Sequence, residues 1–341
     1  MSGAMTVRES AATRFIESAH RVDVASLPSA TCSNCRNSRF QPVLHADSNS
    51  LPGERFTLVR CTECDLMQTS LRSTSRVLND HGDDHSAQVG FHRVPESTNA
   101  ARWRWLEHLA LRGHFGYPPQ PASLLTKILA HLAMWKFHSR LHRHEWIPFR
   151  FPGRLLDVGP QTDTFRKRMQ AFGWTVSSVD HPADLDTENC PETNAPGPQF
   201  DAITMWHVLQ CNADPRRLIQ AAARRLRAGG LLVIEVPNIN SWTFAEFREH
   251  WCGLQMPRFR QHFSQRTLSA MIPQDELRIV EVQQIGMRTW IKHSAERAVA
   301  AGRHEYRSWL AHGKAFWAER ALRTEIANQA DNLRLVAERR F

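Results

Sequence analysis

Four cysteines occur as two pairs, Cys32 and Cys35 in "TCSNCRN" and Cys61 and Cys64 in "RCTECDL". A C-x-x-C turn presents two thiolates to one ion, and two such turns supply four sulfurs at tetrahedral zinc geometry, with Zn–S near ~2.3 Å. "RFQPVLHAD" and "RFTLVRC", lying between the pairs, read as short strands of a hairpin that brings the turns together. Structural zinc is the expected occupant, with iron or disulfides as the alternatives. Four thiolates leave no open position for a reacting water, so this metal would hold structure. Cys190, Cys211 and Cys252 stand alone in the sequence and read as ordinary thiols, Cys211 being the one that a repurposed site could use as a nucleophile.

A second constellation lies in "RLLDVGPQTDTF", residues 154–165. The apolar run Leu155 to Val158 is a buried strand that feeds a helix. Between such a strand and helix a nucleotide-binding fold places glycines, whose backbone N–H groups approach the ligand. Here only Gly159 remains, followed by Pro160, Gln161, Thr162 and Asp163. A third polar group, His81, Asp83, Asp84 and His85 in "NDHGDDHSAQ", has metal-ligand types but the composition of a solvated loop.

The chain has 341 residues, enough for one large domain and a small one, with 42% hydrophobic and 23% charged residues. A net charge of +9 favours acidic partners, but the arginines are scattered along solvated helix faces rather than gathered in a basic–aromatic patch, which argues against nucleic acid. The first residues lack the apolar core of a signal peptide, and no apolar run approaches the ~20 residues of a membrane span. A cytoplasmic protein is expected.

Three regions follow: a zinc ribbon over 28–70, a linker and helical lid segment over 71–150, and an α/β domain over 151–341. In the second region, residues 98–112 and 122–146 have helical patterns separated by "GHFGYPPQP". Leu124, Leu125, Ile128, Leu129 and Leu132 recur near helical spacing, and basic residues follow them. The expectation is a helix that packs on the main domain or covers its pocket. From 153 onward strands and helices alternate. "RLLDVG", "WTVSSVD", "FDAITMWHVL" and "LLVIEVPN" are strands, "TFRKRMQAFG" is a helix closed by Gly173, and "DPRRLIQAAARRLRAGG" is a helix ended by Gly229 and Gly230. Alternation of this kind implies a parallel Rossmann-like sheet with ligands at the carboxyl ends of its strands.

The block "FDAITMWHVLQCNADPRRLIQAAARRLRAGGLLVIEVPN" resembles the centre of class I S-adenosylmethionine (SAM) dependent methyltransferases. More narrowly, the chain resembles a bacterial group with an N-terminal zinc ribbon. "WCGLQMPRFRQHFSQRTLSAMI" is similar to that group's P-R-H-x-x-H-F-S-x-x-T-L stretch, and "NLRLVAERR" to its closing strand. The resemblance implies that Asp157 and Gly159 belong to the first cofactor motif, that Asp180 holds the ribose hydroxyls, and that Trp206 and His207 stand at the mouth of the sheet. His207 and His262 are then the candidate bases, on segments expected to face the pocket.

Three departures bear on the cofactor. The family's D-V-G-C-G-T-G has become Asp157 to Asp163 with one glycine, and Pro160 offers no N–H. Between Asp180 and Phe200 the chain is irregular and rich in Pro, Asn and acidic residues, where the family fits a helix and a third strand; Asp184, Asp186 and Glu188 are the ligand-contact candidates there. W-H-V-L-E-H continues here as Trp206 to Cys211 without the carboxylate and second histidine, and Phe259 replaces the first His of the later motif. Three readings follow: a methyltransferase with an atypical SAM pocket acting on a small metabolite or sugar-like substrate, the same fold turned to chemistry without SAM, or a non-catalytic partner of another protein.

Overall fold

The computed structural model describes residues 31–48, 53–70, 104–118, 123–142, 145–160, 163–186 and 199–341. Gln161, Thr162, Glu188, Cys190 and the loop with His81, Asp83, Asp84 and His85 lie outside the described residues.

Strands β1 (Phe40–Asp47) and β2 (Arg55–Cys61) form the expected antiparallel hairpin, and β3 (Met67–Ser70) pairs with β2. Two helices follow, α1 (Arg104–Phe115) and α2 (Leu124–His142). The alternating region begins with β4 (Arg154–Val158), α3 (Asp163–Ala171), β5 (Thr175–Val179), β6 (Phe200–Trp206), α4 (Pro215–Arg225) and β7 (Leu226–Pro237). Short elements α5 (Trp242–Phe247), β8 (Gln261–His262) and α6 (Gln265–Ser269) precede β9 (Leu277–Ile285). A helical insertion of α7 (Arg288–Ala300), α8 (Arg307–Leu310) and α9 (Lys314–Ile326) then leads to β10 (Asn332–Arg339).

The main sheet has the order β5-β4-β6-β7-β10-β9. The first four strands are parallel, and β10 runs antiparallel to both β7 and β9. Among the described residues β5 is an edge strand. After it come the 3-10 turn Pro182–Asp186 and the undescribed residues 187–198.

Side chains alternate between two cores, as the period of a strand requires. Leu156, Val158, Ile203, Ile234 and Leu335 meet Leu218, Ile219 and Ala222 of α4 on one face. Leu155, Ala202, Val233 and Val336 meet Phe165 and Met169 of α3 and Ala110 and Leu111 of α1 on the other. The segment before the α/β domain is thus a packed layer of the sandwich. Its orientation differs from the sequence expectation. Ala130 and Ala133 of α2 are buried, while Leu124, Leu125, Ile128 and Leu132 are exposed. The reason is close helix approach: a Cβ on Gly113 of α1 would stand 2.5 Å from the Ala130 Cβ, so only the small-residue face of α2 fits.

A second difference concerns Leu226 to Gly230, expected as the end of a helix. The helix stops at Arg225 and these residues already belong to β7. Pairing passes from Phe200↔Leu226 to Ala202↔Leu231, so the extra residues form a bulge, with Gly229 at φ +75°.

The ribbon is continuous with the rest of the fold. Its sheet has the order β1-β2-β3-β8, so a strand from the C-terminal half completes it, with Met67↔His262 and Gln68↔Gln261 as partners. The Thr69 N–H reaches Arg260 O at 3.0 Å, and its hydroxyl donates to Phe259 O at 2.6 Å. Ala46 and Leu58 of the ribbon share a third core with Phe247, Trp251, Trp290 and Trp317. Replacing Thr69 with Val keeps the shape and the main-chain bond to Arg260 but strands the Phe259 carbonyl and the His262 ring nitrogen that meet the hydroxyl. We expect it to cost about 1–3 kcal/mol of stability, measured by denaturant unfolding against wild type.

Candidate active site and metal centre

The sulfurs of Cys32, Cys35, Cys61 and Cys64 lie within 4.8 Å of one another, and among the described residues no other cluster of metal-ligand types is so arranged. No described cysteine is in a disulfide. Each pair closes the same kind of turn: the Arg36 N–H donates to Cys32 O at 2.9 Å and the Asp65 N–H to Cys61 O at 3.1 Å. The residue after each second cysteine turns left-handed, Arg36 at φ 62° and Asp65 at φ 61°. Four converging thiols fit a structural zinc ion. Both turns are pinned to the α/β domain, the first by Arg216 on Asn34 (2.8 Å) and Asp214 on Arg36 (3.2 Å), the second by Arg266 on Asp65 (2.7 Å).

Within the α/β domain, the carboxyl ends of β4, β5 and β6 bring three expected residues to one edge. Gly159 leaves β4 at φ +109°, and its N–H donates to Val179 O at 2.7 Å. A Cβ there would come within 2.4 Å of Val208 Cγ2, so the turn needs glycine. Asp180 follows the last residue of β5 and is exposed. His207 follows β6 in the left-handed region, φ 55°, where a non-glycine residue is strained. Its N–H donates to Glu235 O at 2.9 Å, and its carbonyl accepts from the Gln210 amide at 2.8 Å. These two bonds hold the strained backbone.

The His207 ring is buried, with Nε2 3.5 Å from Glu235 Oε1 and from the Asn332 amide. Glu235 is itself held in place. Arg334 donates to its Oε2 from Nε (2.9 Å) and Nη2 (2.7 Å), and Asn332 to its Oε1 at 3.0 Å. The Arg334 guanidinium lies 5.0 Å from the centre of the Trp206 ring. This cluster of Glu235, Asn332 and Arg334 was not foreseen from the sequence. Its signal was a charge at one position in each of two apolar strands, "LLVIEVP" and "NLRLVA".

The other expected residues face inward. Asp157 is buried and accepts from the Thr204 hydroxyl at 2.6 Å, bracing β4 against β6. Trp206 packs edge-on against Phe165, ring centres 5.7 Å apart, inside the core beneath α3. His262 lies in β8 with Nε2 3.0 Å from the Thr69 hydroxyl. That hydroxyl spends its proton on Phe259 O, so the ring must be the donor, and burial pulls its pKa down to about 3. A histidine so placed remains neutral and ties the ribbon to the domain. Cys211 is held as a thiol, burial pushing its pKa up to about 11.

Residues 134–282 match a family model described as a methyltransferase domain. Over residues 134–282 this chain is similar to that methyltransferase-domain family.

Among solved structures, a SAM-dependent methyltransferase from Archaeoglobus fulgidus is 14% identical, covering 61% of this chain and 93% of its own at a TM-score of 0.35. One from Mesorhizobium loti is 15% identical over 60% and 97%, with a TM-score of 0.32. The cyclase SpnF is 18% identical over 70% and 94%, with a TM-score of 0.33. No curated protein matches.

The α/β fold also contains a titrating group that carried no signal in the sequence. Asp331, just before β10, is buried and accepts the Met287 N–H at 2.8 Å. Burial raises its carboxyl to about 7, the Thr243 hydroxyl and the Met287 N–H opposing the rise. The fold therefore favours the neutral acid. Its contribution is complete below the ordinary carboxyl value and is lost as pH rises through about 7. Relative to wild type, Asp331→Asn should gain up to roughly 1.4 kcal/mol per pH unit across that window. Unfolding free energies measured at a series of pH values check this, and parallel curves would refute it.

Proposed function

We propose that the chain is a SAM-dependent methyltransferase acting on a small metabolite or sugar-like molecule through a reshaped cofactor pocket. The observation that carries this reading is the strained His207 backbone, set on buried Glu235 at the edge that also bears Gly159 and Asp180. Strain of this kind persists where the surroundings enforce it, and such positions cluster at functional sites.

The fit to SAM divides along the cofactor. Asp180 presents a solvent-accessible carboxylate at the end of β5, suited to two ribose hydroxyls, and glycine at 159 permits close approach. The amino-acid end finds less. The Gly159 N–H is spent on β5 and Pro160 has none, so these two positions give a carboxylate no donor. Bound SAM supplies an electrophilic methyl group on a sulfonium. His207 would accept the acceptor's proton where one must leave, with the Glu235 carboxylate balancing the positive charge it gains. Asp157, Trp206 and His262 serve the reaction by holding the strands and the ribbon. We assign the four thiolates to zinc and the protein to the cytoplasm, where reducing conditions keep thiols available for metal.

The missing donors at Gly159 and Pro160 equally favour a second reading, the same fold used without SAM. Calorimetric titration with SAM separates the two. The first reading expects saturable binding that Asp180→Ala weakens at least tenfold and methyl transfer that His207→Gln slows. Absence of binding at millimolar SAM, with the folded protein intact, would overturn it in favour of the second.

A further inference from the structure

A cavity of about 260 Å³ lies where the helical insertion meets the sheet, lined by Trp242, Arg320, Arg323, Thr324, Ala327 and Gln329. Trp242 stands just beyond the end of β7 and Gln329 just before β10, so the cavity lies beyond the carboxyl end of β7. Main-chain bonds fix its walls: the Trp242 N–H donates to Gln329 O at 2.9 Å and the Gln329 N–H to Thr324 O at 2.8 Å.

Arg320 dominates the pocket. Its guanidinium carbon is 3.8 Å from the ring centre of Trp309, 4.6 Å from Phe316 and 5.7 Å from Trp242. The two indoles are nearly parallel, at 15°. Stacking of this kind uses the face of the guanidinium and leaves its in-plane N–H donors for an acceptor. None is supplied by the described residues, and Nε is buried without a partner. The nearby carboxylates act on Arg320 only through space, their hydrogen bonds going elsewhere, Glu246 with the Tyr306 hydroxyl at 2.7 Å and Glu319 with Arg323 at 2.5 Å. A partly desolvated cation with unspent donors, beside an accessible indole and inside a cavity larger than a bare anion, is the chemistry of an anion subsite.

We infer that this pocket binds the phosphate or carboxylate of a small molecule whose ring lies on Trp242. The site is separate from Gly159 and Asp180, and its test involves neither SAM nor turnover.

Phenyl phosphate, benzoate and benzyl alcohol serve as probes, followed through the indole N–H resonance of Trp242 in the full-length protein, identified with Trp242→Phe. At least one anion should shift this resonance saturably, while the neutral alcohol does not. The tighter of the two anions tells phosphate from carboxylate. Arg320→Gln should weaken binding at least tenfold, with the indole resonances of buried Trp251 and Trp290 unmoved as the check on folding. Ala327→Trp, at an exposed position on the wall, fills the cavity, leaves Arg320 in place and should have the same effect. No saturable shift with either anion, equal binding of the alcohol, or wild-type affinity in both variants would overturn the assignment.

Discussion

Main-chain pairing between β3 of the ribbon and the two residues of β8 is the contact on which the remaining arrangement depends. Residues 259–263 run as a seam with the cysteine module on one side and the strand ends of the α/β domain on the other. On the ribbon side lie the Thr69 bonds to Phe259 and Arg260 and the Ser33 hydroxyl on Gln261, 3.0 Å away. On the domain side the Arg260 N–H donates to Gln210 O at 2.8 Å, and the Ile239 N–H donates to Phe263 O at 2.8 Å. Gln210 in turn holds the carbonyl of His207. A short series of hydrogen bonds thus joins a residue inside the first C-x-x-C turn to the strained histidine. Two residues of strand form few bonds of their own, so the seam depends on what grips it from each side.

The opposite support is electrostatic. Glu235 and Arg334 face each other across β7 and β10 within the core, each almost wholly removed from water. Burying two charges is costly, and their attraction offsets that cost only when both are well hydrogen-bonded, as Asn332 and the two Arg334 donors ensure for Glu235. Losing either partner would leave a buried charge alone, a penalty of about 3–5 kcal/mol. The pair also fixes which residues meet at the β7–β10 ends, and hence the place of the His207 ring.

Much of this was legible in the sequence, for physical reasons. Two C-x-x-C turns have few alternatives to a metal site, and "LLVIEVPN" is too continuously apolar for anything but a strand buried on both faces. Pro215 in the first turn of α4 and Gly173 after α3 marked real boundaries. What escaped was non-local. Two residues of β8 carry no periodic signal, so His262 read as a candidate base rather than as the ribbon's partner. Gly229 and Gly230 looked like a helix stop because a bulge uses the same residues. The exposed leucines of α2 were misread because spacing alone does not reveal which face a neighbouring glycine will admit. Glu235 and Arg334 were invisible as a pair because 99 residues separate them.

The claim that a zinc-loaded ribbon holds the edge that carries His207 is tested most directly by amide hydrogen exchange before and after zinc is stripped with a chelator, with metal content assayed in parallel. The account predicts one zinc per chain. It also predicts that its removal speeds exchange in the ribbon, at residues 259–263 and around His207 to Gln210, while β4 and β6 remain protected. Loss of protection confined to the ribbon, with the seam and the His207 segment unchanged, would contradict it.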